Sequence, residues 1–498
     1  MIYHRNNRIG VANDGTSLSR FVNWLSKSLT ERNCLLLLLA LFLVLSFLIV
    51  PIPYLPERDL ADATTNDIWV EYYSQGIYHI PFEEWDHGIT QSVIILYEGE
   101  YTVVNEKGPG HVMMILPFYV LGIGFLFGPV MMAFAVFSTY MLGKRLLNWR
   151  VGILAAVLVL TNATVLVMWY RYYWTDASTM HMLVLSVWLL VEANYWFNGK
   201  NLDAKEQGAT ARQRLFALGL GALSGLAFGA SVSTRYATAL ILIAIVFYLA
   251  VFYLVKAWPH LEAREIMKAA KSTQGLWVLL GVFLLGLLVV LVPLMSYNTE
   301  YFGSPFRSGY DETLLTQFDP IAGLNPRNTS TGWSSNFISN LWTAWENFLD
   351  VLPILVLRVP SLLLVPIGMW VLRKRPLVLS FLFLWILINY ITYLTLSWVD
   401  MYANIPPEIL HEPRYFMPSL PAIALLAGAA IDCIAQRAVE RIPFTRDATP
   451  EGKKVSRALV VLVIIALLAL SGILAALNYF GNMEYGGALR PPRPPLPP

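Results

Sequence analysis

Residues 56–75, PERDLADATTNDIWVEYYSQ, set five carboxylates (Glu57, Asp59, Asp62, Asp67 and Glu71) against one base, Arg58. A carboxylate held partly desolvated within reach of a substrate can act as a general base. Asp67 is the best placed, because Trp69, Tyr72, Tyr73 and Tyr78 follow closely and such rings can wall a sugar site. Asp59 and Asp62 are the alternatives. The plain structural alternative is an aromatic belt with solvated acids. Lys107, in KGPGHVMMILPFY, is one of two bases among eleven acids in residues 56–110. Standing before a Gly-Pro-Gly turn, it suits a phosphate group or a snorkelling interface position.

Four further stretches carry charge or shaped turns. RYYWTDASTMH, 171–181, puts Arg171 and Asp176 in one short loop, as a site or as a structural ion pair. Arg235, in ASVSTRYATA, lies in nearly unbroken apolar sequence, where a charge is costly unless partnered. SYNTEYFGSPFRSGYDET, 296–313, holds Tyr301 and Tyr310 in a turn shaped by Gly and Pro. HEPRYFMPSLP, 411–421, holds His411, Glu412, Arg414 and Tyr415. Carboxylates and cations on one surface suit a phosphate leaving group and a hydroxyl acceptor.

The elements that must position these residues are membrane helices. The chain has 498 residues, 56% hydrophobic and 14% charged, with mean hydropathy +0.55. Soluble domains run nearer a quarter charged, and apolar runs of about 20 residues recur along the sequence. The expected fold is an all-α polytopic membrane protein of eleven spans: 34–52, 124–143, 151–169, 178–197, 215–232, 236–255, 275–295, 353–372, 376–396, 416–435 and 458–478. The first run follows 33 mostly polar residues and reads as a retained anchor. Residues 111–143 are too long for one span and short for two. They read as a surface helix, bent near Pro117 and Gly122, leading into one span. Cys34 and Cys433 fall in or beside apolar runs and support neither disulfides nor a thiolate metal site.

With a cytoplasmic N-terminus, 25 of the 35 Lys and Arg fall in the inner segments, and 22 of the 33 Asp and Glu fall outside. The expected protein is a multi-pass protein of a prokaryotic plasma membrane with its C-terminus outside. Residues 1–478 form the transmembrane domain, with long outer loops at 56–110 and 296–352 carrying interfacial helices. Residues 479–498 form a Pro-rich tail. The net charge of +2, partitioned across a bilayer, gives no indication of nucleic acid.

This layout resembles the GT-C superfamily of membrane glycosyltransferases, which includes the protein O-mannosyltransferases and the aminoarabinose transferases of lipid A. The resemblance covers nearly the whole chain. It rests on the acidic first loop running into K-x-P-x…P-F-Y (Lys107, Pro109, Pro117, Phe118, Tyr119), on Y-F-G-S-P-F…G-Y (Tyr301 to Tyr310), and on E-P-R-Y-F-x-P-x-x-P (Glu412 to Pro421). It implies a polyprenyl- or dolichyl-phosphate sugar as donor and transfer to a glycan, lipid or protein hydroxyl on the extracytoplasmic side, with inversion. A first-loop acid would be the base, Asp176 would sit near the acceptor, and Lys107, Arg235 and Arg414 would bind the lipid phosphate. The chain departs from the mannosyltransferase pattern, because Asp67 is followed by Ile68 rather than by an acid. No Asp-x-Asp occurs in the first loop, so a divalent cation has no obvious seat and no cofactor is expected.

Two other classes compete. A transporter or lipid-linked sugar flippase would place ionisable groups near the midplane and often repeat its halves. Here the only acids inside the expected spans are Glu192 and Asp432, both toward the cytoplasmic end, and no repeat is visible. A non-catalytic scaffold subunit would leave its outer acids individually replaceable.

Overall fold

A computed structural model describes residues 28–49, 61–84, 92–105, 108–170, 175–198, 209–309, 345, 348–349, 351–353, 355–356, 358–394, 412–441 and 450–486. In chain order its elements are α1 (Glu31–Ile49), α2 (Ala61–Ser74), β1 (Ile80–Pro81), β2 (Ser92–Tyr97), β3 (Glu100–Asn105) and α3 (Gly110–Val120). There follow α4 (Phe127–Leu146), α5 (Trp149–Leu160), α6 (Ala163–Tyr170), α7 (Thr175–Phe197), α8 (Ala211–Thr234), α9 (Leu242–Glu262) and α10 (Ile266–Phe302). The last are α11 (Val365–Leu372), α12 (Pro376–Leu394), α13 (Leu420–Arg441) and α14 (Pro450–Gly486). Single 3-10 turns cover Tyr236–Ile241, Pro360–Leu364 and Glu412–Ser419.

Among the described residues nine helices are long and apolar enough to cross a membrane. The expected span 151–169 is instead two helices, α5 and α6. Asn162 breaks them: its Oδ1 accepts from Thr164 N at 3.0 Å and Val165 N at 3.3 Å, capping α6. The expected span 353–372 ends in the short Pro360–Leu372 segment. Residues 111–143 divide as the apolarity suggests, into the separate helix α3, a turn at Gly122 (φ +70°), and the single span that contains α4. α14 runs without interruption through Gly486, and residues 487–498 lie outside the described part.

Glycines bring the helices close. A Cβ on Gly225 would strike Phe283 O of α10, and one on Gly286 would strike Ala222 O of α8. Small residues at such crossings let backbones touch where lipid offers no hydrophobic drive. The central core is carried by α5, α7 and α13, whereas α1 and α14 expose leucines and valines along their length. Those two present apolar surface of the kind lipid covers.

The two ends of the bundle differ. One gathers ion pairs and cations: Lys144 with Glu31 (2.6 Å), Arg145 with Glu192, Arg457 with Asp432 (2.7 Å), and Trp370 between Arg373 and Arg437. The other gathers α2, α3 and a small antiparallel sheet in the order β1-β3-β2. The sheet is an addition to the helical expectation. Its hairpin turns at Glu98–Gly99, both at positive φ (50° and 90°), the requirement of a tight two-residue loop. One sheet face, with Ile80, Ile94 and Val103, joins Trp69 and Tyr73 of α2 in the core; Ile95 and Val104 on the other pack on Phe302. That second face is reachable because α10 has 37 residues, about 55 Å at 1.5 Å per residue, and overshoots a hydrocarbon core of roughly 30 Å.

Candidate active site

Asp176 and Arg235, far apart in sequence, meet at the end opposite the cation-rich one. Asp176 lies in the first turn of α7, and its Oδ2 accepts from Arg235 Nη2 at 2.8 Å. Their side chains are 1% and 11% exposed. Arg171, which the sequence left as a structural partner for Asp176, lies outside the described residues. Arg235 is the joint between α8 and the turn Tyr236–Ile241, with extended backbone (φ −148°, ψ 104°). Hydroxyl bonds fix that joint. Thr179 and Thr234 Oγ1 atoms lie 2.7 Å apart, and Ser231 Oγ donates to Thr179 O at 2.9 Å, tying α8 to α7 one turn from Asp176.

Tyr415 closes a second side, with the Arg235 guanidinium 5.0 Å from its ring centre. The turn that carries Tyr415 is held by α12. Trp385 Nε1 donates to Pro418 O at 2.9 Å, Asn389 Nδ2 to Tyr415 O at 3.4 Å, and Tyr393 packs on Tyr415. Glu412 and Arg414 belong to that turn; their side chains lie outside the described part, as does all of His411.

The glycine turn after Lys107 arrives at the same place. A Cβ on Gly108 (φ +76°) would come within 2.7 Å of Tyr236 Oη, and one on Gly110 would strike Ser233. Only glycines allow this loop to lie against the residues flanking Arg235. Lys107 itself lies outside the described residues. Tyr236 Oη in turn donates to Asn298 Oδ1 of α10 at 3.3 Å.

The first-loop acids are less completely placed. Asp62 and Asp67 lie on α2, whose side chains at those positions fall outside the described part, and Asp59 precedes it, also outside. Their aromatic surroundings do divide. Trp69 and Tyr73 are buried in the core, with Trp69 Nε1 donating to Ser92 Oγ at 3.2 Å, whereas Tyr72 is half-buried and Tyr78 more open. Two of the four expected rings therefore anchor α2 instead of walling a site.

Tyr301 sits in a cluster the sequence did not single out. Its Oη lies 3.3 Å from His79 Nδ1, and its ring packs on Tyr97 and Tyr297. Tyr97 Oη donates to Glu300 Oε1 at 2.6 Å. Tyr310 lies outside the described residues. The signal for Tyr97 was present as alternation across the Glu-Gly hairpin; for His79 no local signal existed. No group of three His, Cys, Asp or Glu among the described residues could hold a metal ion. A shallow depression bounded by Glu31, Arg32, Leu35 and Lys144 belongs to the opposite end, away from these residues.

No protein-family profile and no curated protein matches the sequence. Solved structures do resemble the fold. The oligosaccharyltransferase of Archaeoglobus fulgidus in its apo form aligns with a TM-score of 0.51 at 14% identity, over 92% of this chain and 56% of that one. The same organism's AglB, in complex with an inhibitory peptide and a dolichol-phosphate, gives 0.48 at 12% identity, over 88% and 56%. ArnT from Cupriavidus metallidurans bound to undecaprenyl phosphate gives 0.46 at 14%, over 91% and 78%. The chain thus spans a little over half the length of the archaeal enzyme. Its transmembrane fold is similar to that of the archaeal oligosaccharyltransferase.

Proposed function

We propose that the protein moves a sugar from a polyprenyl-phosphate donor to a hydroxyl acceptor at the extracytoplasmic membrane surface. The observation that carries this reading is the convergence of Asp176, Arg235, Tyr415 and the Gly108–Gly110 turn at one bundle end. The opposite end holds the cations that the positive-inside rule assigns to the cytoplasm. The polyprenyl tail lies among the helices, and its phosphate meets Arg235, with Lys107 and Arg414 as its further cationic ligands. Asp176 orients the guanidinium, so the positive charge is in place before the leaving group develops its own. Asp67, with Asp59 and Asp62 as alternatives, takes the proton of the acceptor hydroxyl. The acceptor oxygen bonds to the anomeric carbon as the bond to the phosphate oxygen breaks, with inversion, and the polyprenyl phosphate departs as an anion.

The fold likeness supports this chemistry in kind. The test is transfer by the purified full chain in proteoliposomes, from a panel of radiolabelled polyprenyl-phosphate sugars to crude lipid, glycan and protein acceptors. Label should pass to an acceptor with one donor, and Arg235→Ala should raise the apparent donor constant about tenfold or more, as expected for loss of a charge-assisted contact. Absence of transfer from every donor, with the protein folded, overturns the reading.

A further inference from the structure

The sheet and the overshooting end of α10 build a second feature a short way from Arg235. His79, Tyr97 and Tyr301 surround one another, with ring centres 5.2, 5.4 and 5.9 Å apart and planes inclined by 42–52°. Tyr297 backs them at 4.7 Å from Tyr301. Glu300 closes one edge, its Oε1 accepting from Tyr97 Oη, and the other edge is the Tyr301 hydroxyl beside His79 Nδ1. His79 and Glu300 are exposed, and Tyr97 and Tyr301 are half-buried.

This is not the composition of a core. A core would bury the rings and give the carboxylate a cation, yet among the described residues Glu300 has a phenol as its partner and no ion pair. The hydrogen bond to the Glu300 carboxylate pushes the Tyr97 hydroxyl up to about 12. Aromatic faces carry partial negative charge and attract polarised C–H groups. A carboxylate and an imidazole at the rim accept and donate to paired hydroxyls. A few polar groups around an apolar floor are the usual make-up of a site that fixes a ligand's orientation. The three rings are inclined to one another by 42–52°, and an aromatic face of this kind packs against the C–H face of a pyranose chair.

We infer that His79, Tyr97, Glu300 and Tyr301 form a carbohydrate subsite that takes one pyranose unit of a glycan acceptor. Its position fits. Tyr301 follows Asn298 by three residues on α10, about 4.5 Å of rise, and Asn298 holds Tyr236, the neighbour of Arg235. A sugar on these rings therefore sits at the same end of the bundle as Arg235. The transfer reading enters only in naming this ligand the acceptor; the binding itself stands apart from it.

The test uses the detergent-solubilised full chain without donor, with binding of neutral manno-, gluco- and galacto-tetraoses followed by saturation-transfer NMR and thermophoresis. Choline and ethanolamine serve as cationic competitors. At least one tetraose should bind. Glu300→Gln should weaken it about tenfold, the scale of a hydrogen bond to a charged acceptor. Tyr97→Phe, which keeps the ring and removes the bond that orients Glu300, should weaken it by a smaller factor. Both variants should bind undecaprenyl phosphate as the unaltered protein does, which also reports that they fold. The inference is overturned if no tetraose binds, if both variants bind like the unaltered protein, or if choline displaces the tetraose. Tetraose binding without any transfer would keep the subsite and remove the transfer reading; transfer with no tetraose binding would do the reverse.

Discussion

Replacing Asp176 by Asn keeps the shape at Arg235 and removes the charge that faces it. At an effective dielectric of about 20, unit charges about 4 Å apart attract by about 4 kcal/mol. The contact is 2.8 Å and the two side chains are 1% and 11% exposed, so solvent screens little of that attraction. Removing one member of a buried pair costs about 3–5 kcal/mol, because the other charge stays buried. At about 2.1 cal/mol/K per residue over 498 residues each kcal/mol shifts the melting midpoint by about 1 °C, so Asp176→Asn should lower it by roughly 3–5 °C. Replacing both members, Asp176→Leu with Arg235→Leu, removes both desolvation costs and should recover most of the stability. The assay pairs differential scanning fluorimetry in detergent with transfer in proteoliposomes. If the pair orients a guanidinium toward the donor phosphate, the double variant is stable but keeps the weakened donor binding expected of Arg235→Ala. Donor binding restored in the stable double variant would refute the functional role and leave a structural clamp. An unchanged melting point in Asp176→Asn would refute the burial argument itself.

Three further outcomes are expected. Asp67→Asn should lower turnover at least ~100-fold with donor affinity nearly unchanged, the loss of a general base, while Asp59→Asn and Asp62→Asn act mildly; a reversed order in single-turnover assays moves the base within the first loop. In a Cys34→Ser, Cys433→Ser background, cysteines at the exposed Ser74 and Glu100 should label from outside intact cells and one at Lys271 should not; the opposite pattern inverts the topology. Gly225→Leu should push α8 off Phe283 of α10 and cost about 1–3 kcal/mol as an overpacked crossing, read as a lower melting point, whereas the same change at Gly219, which faces open space, should be silent.

The span pattern was legible because each helix must supply about 20 apolar residues whatever it packs against. The α3 segment was legible because its length fitted neither one span nor two. The break at Thr161–Asn162 was not, since apolar content is the same on both sides and only the Asn cap distinguishes two helices from one. The end of α10 was missed for a related reason. SYNTEYF is polar and reads as loop, yet it continues the helix to the left-handed Gly303 because Tyr297, Tyr301 and Phe302 find the sheet. The hairpin itself had a local signal, two alternating runs around Glu98-Gly99. At the site, the cost of an isolated charge in apolar sequence correctly demanded a partner for Arg235. Spacing along the chain could not reveal its contact with Asp176, 59 residues away.

Among the described residues three carboxylates in the bundle meet arginines, and their placement bears on transport against surface chemistry. Glu192 with Arg145 and Asp432 with Arg457 sit at the cation-rich end. Glu192 also accepts from Trp196 Nε1 at 2.9 Å, so that pair is tied into its helix as a clamp. Asp176 with Arg235 sits at the other end, more buried than either. Between the ends lie apolar core, the Gly225 and Gly286 crossing, and the Ser186–Ser224 contact of α7 with α8 at 3.2 Å. Alternating access would have to part these helices, separating backbone that glycines bring into direct contact and exposing paired hydroxyls. Transport folds place their ionisable groups near the midplane, at the seam that moves. Among the described residues the seam is packed and the paired charges lie at its two ends, an arrangement that favours the proposed transfer at one face over alternating access.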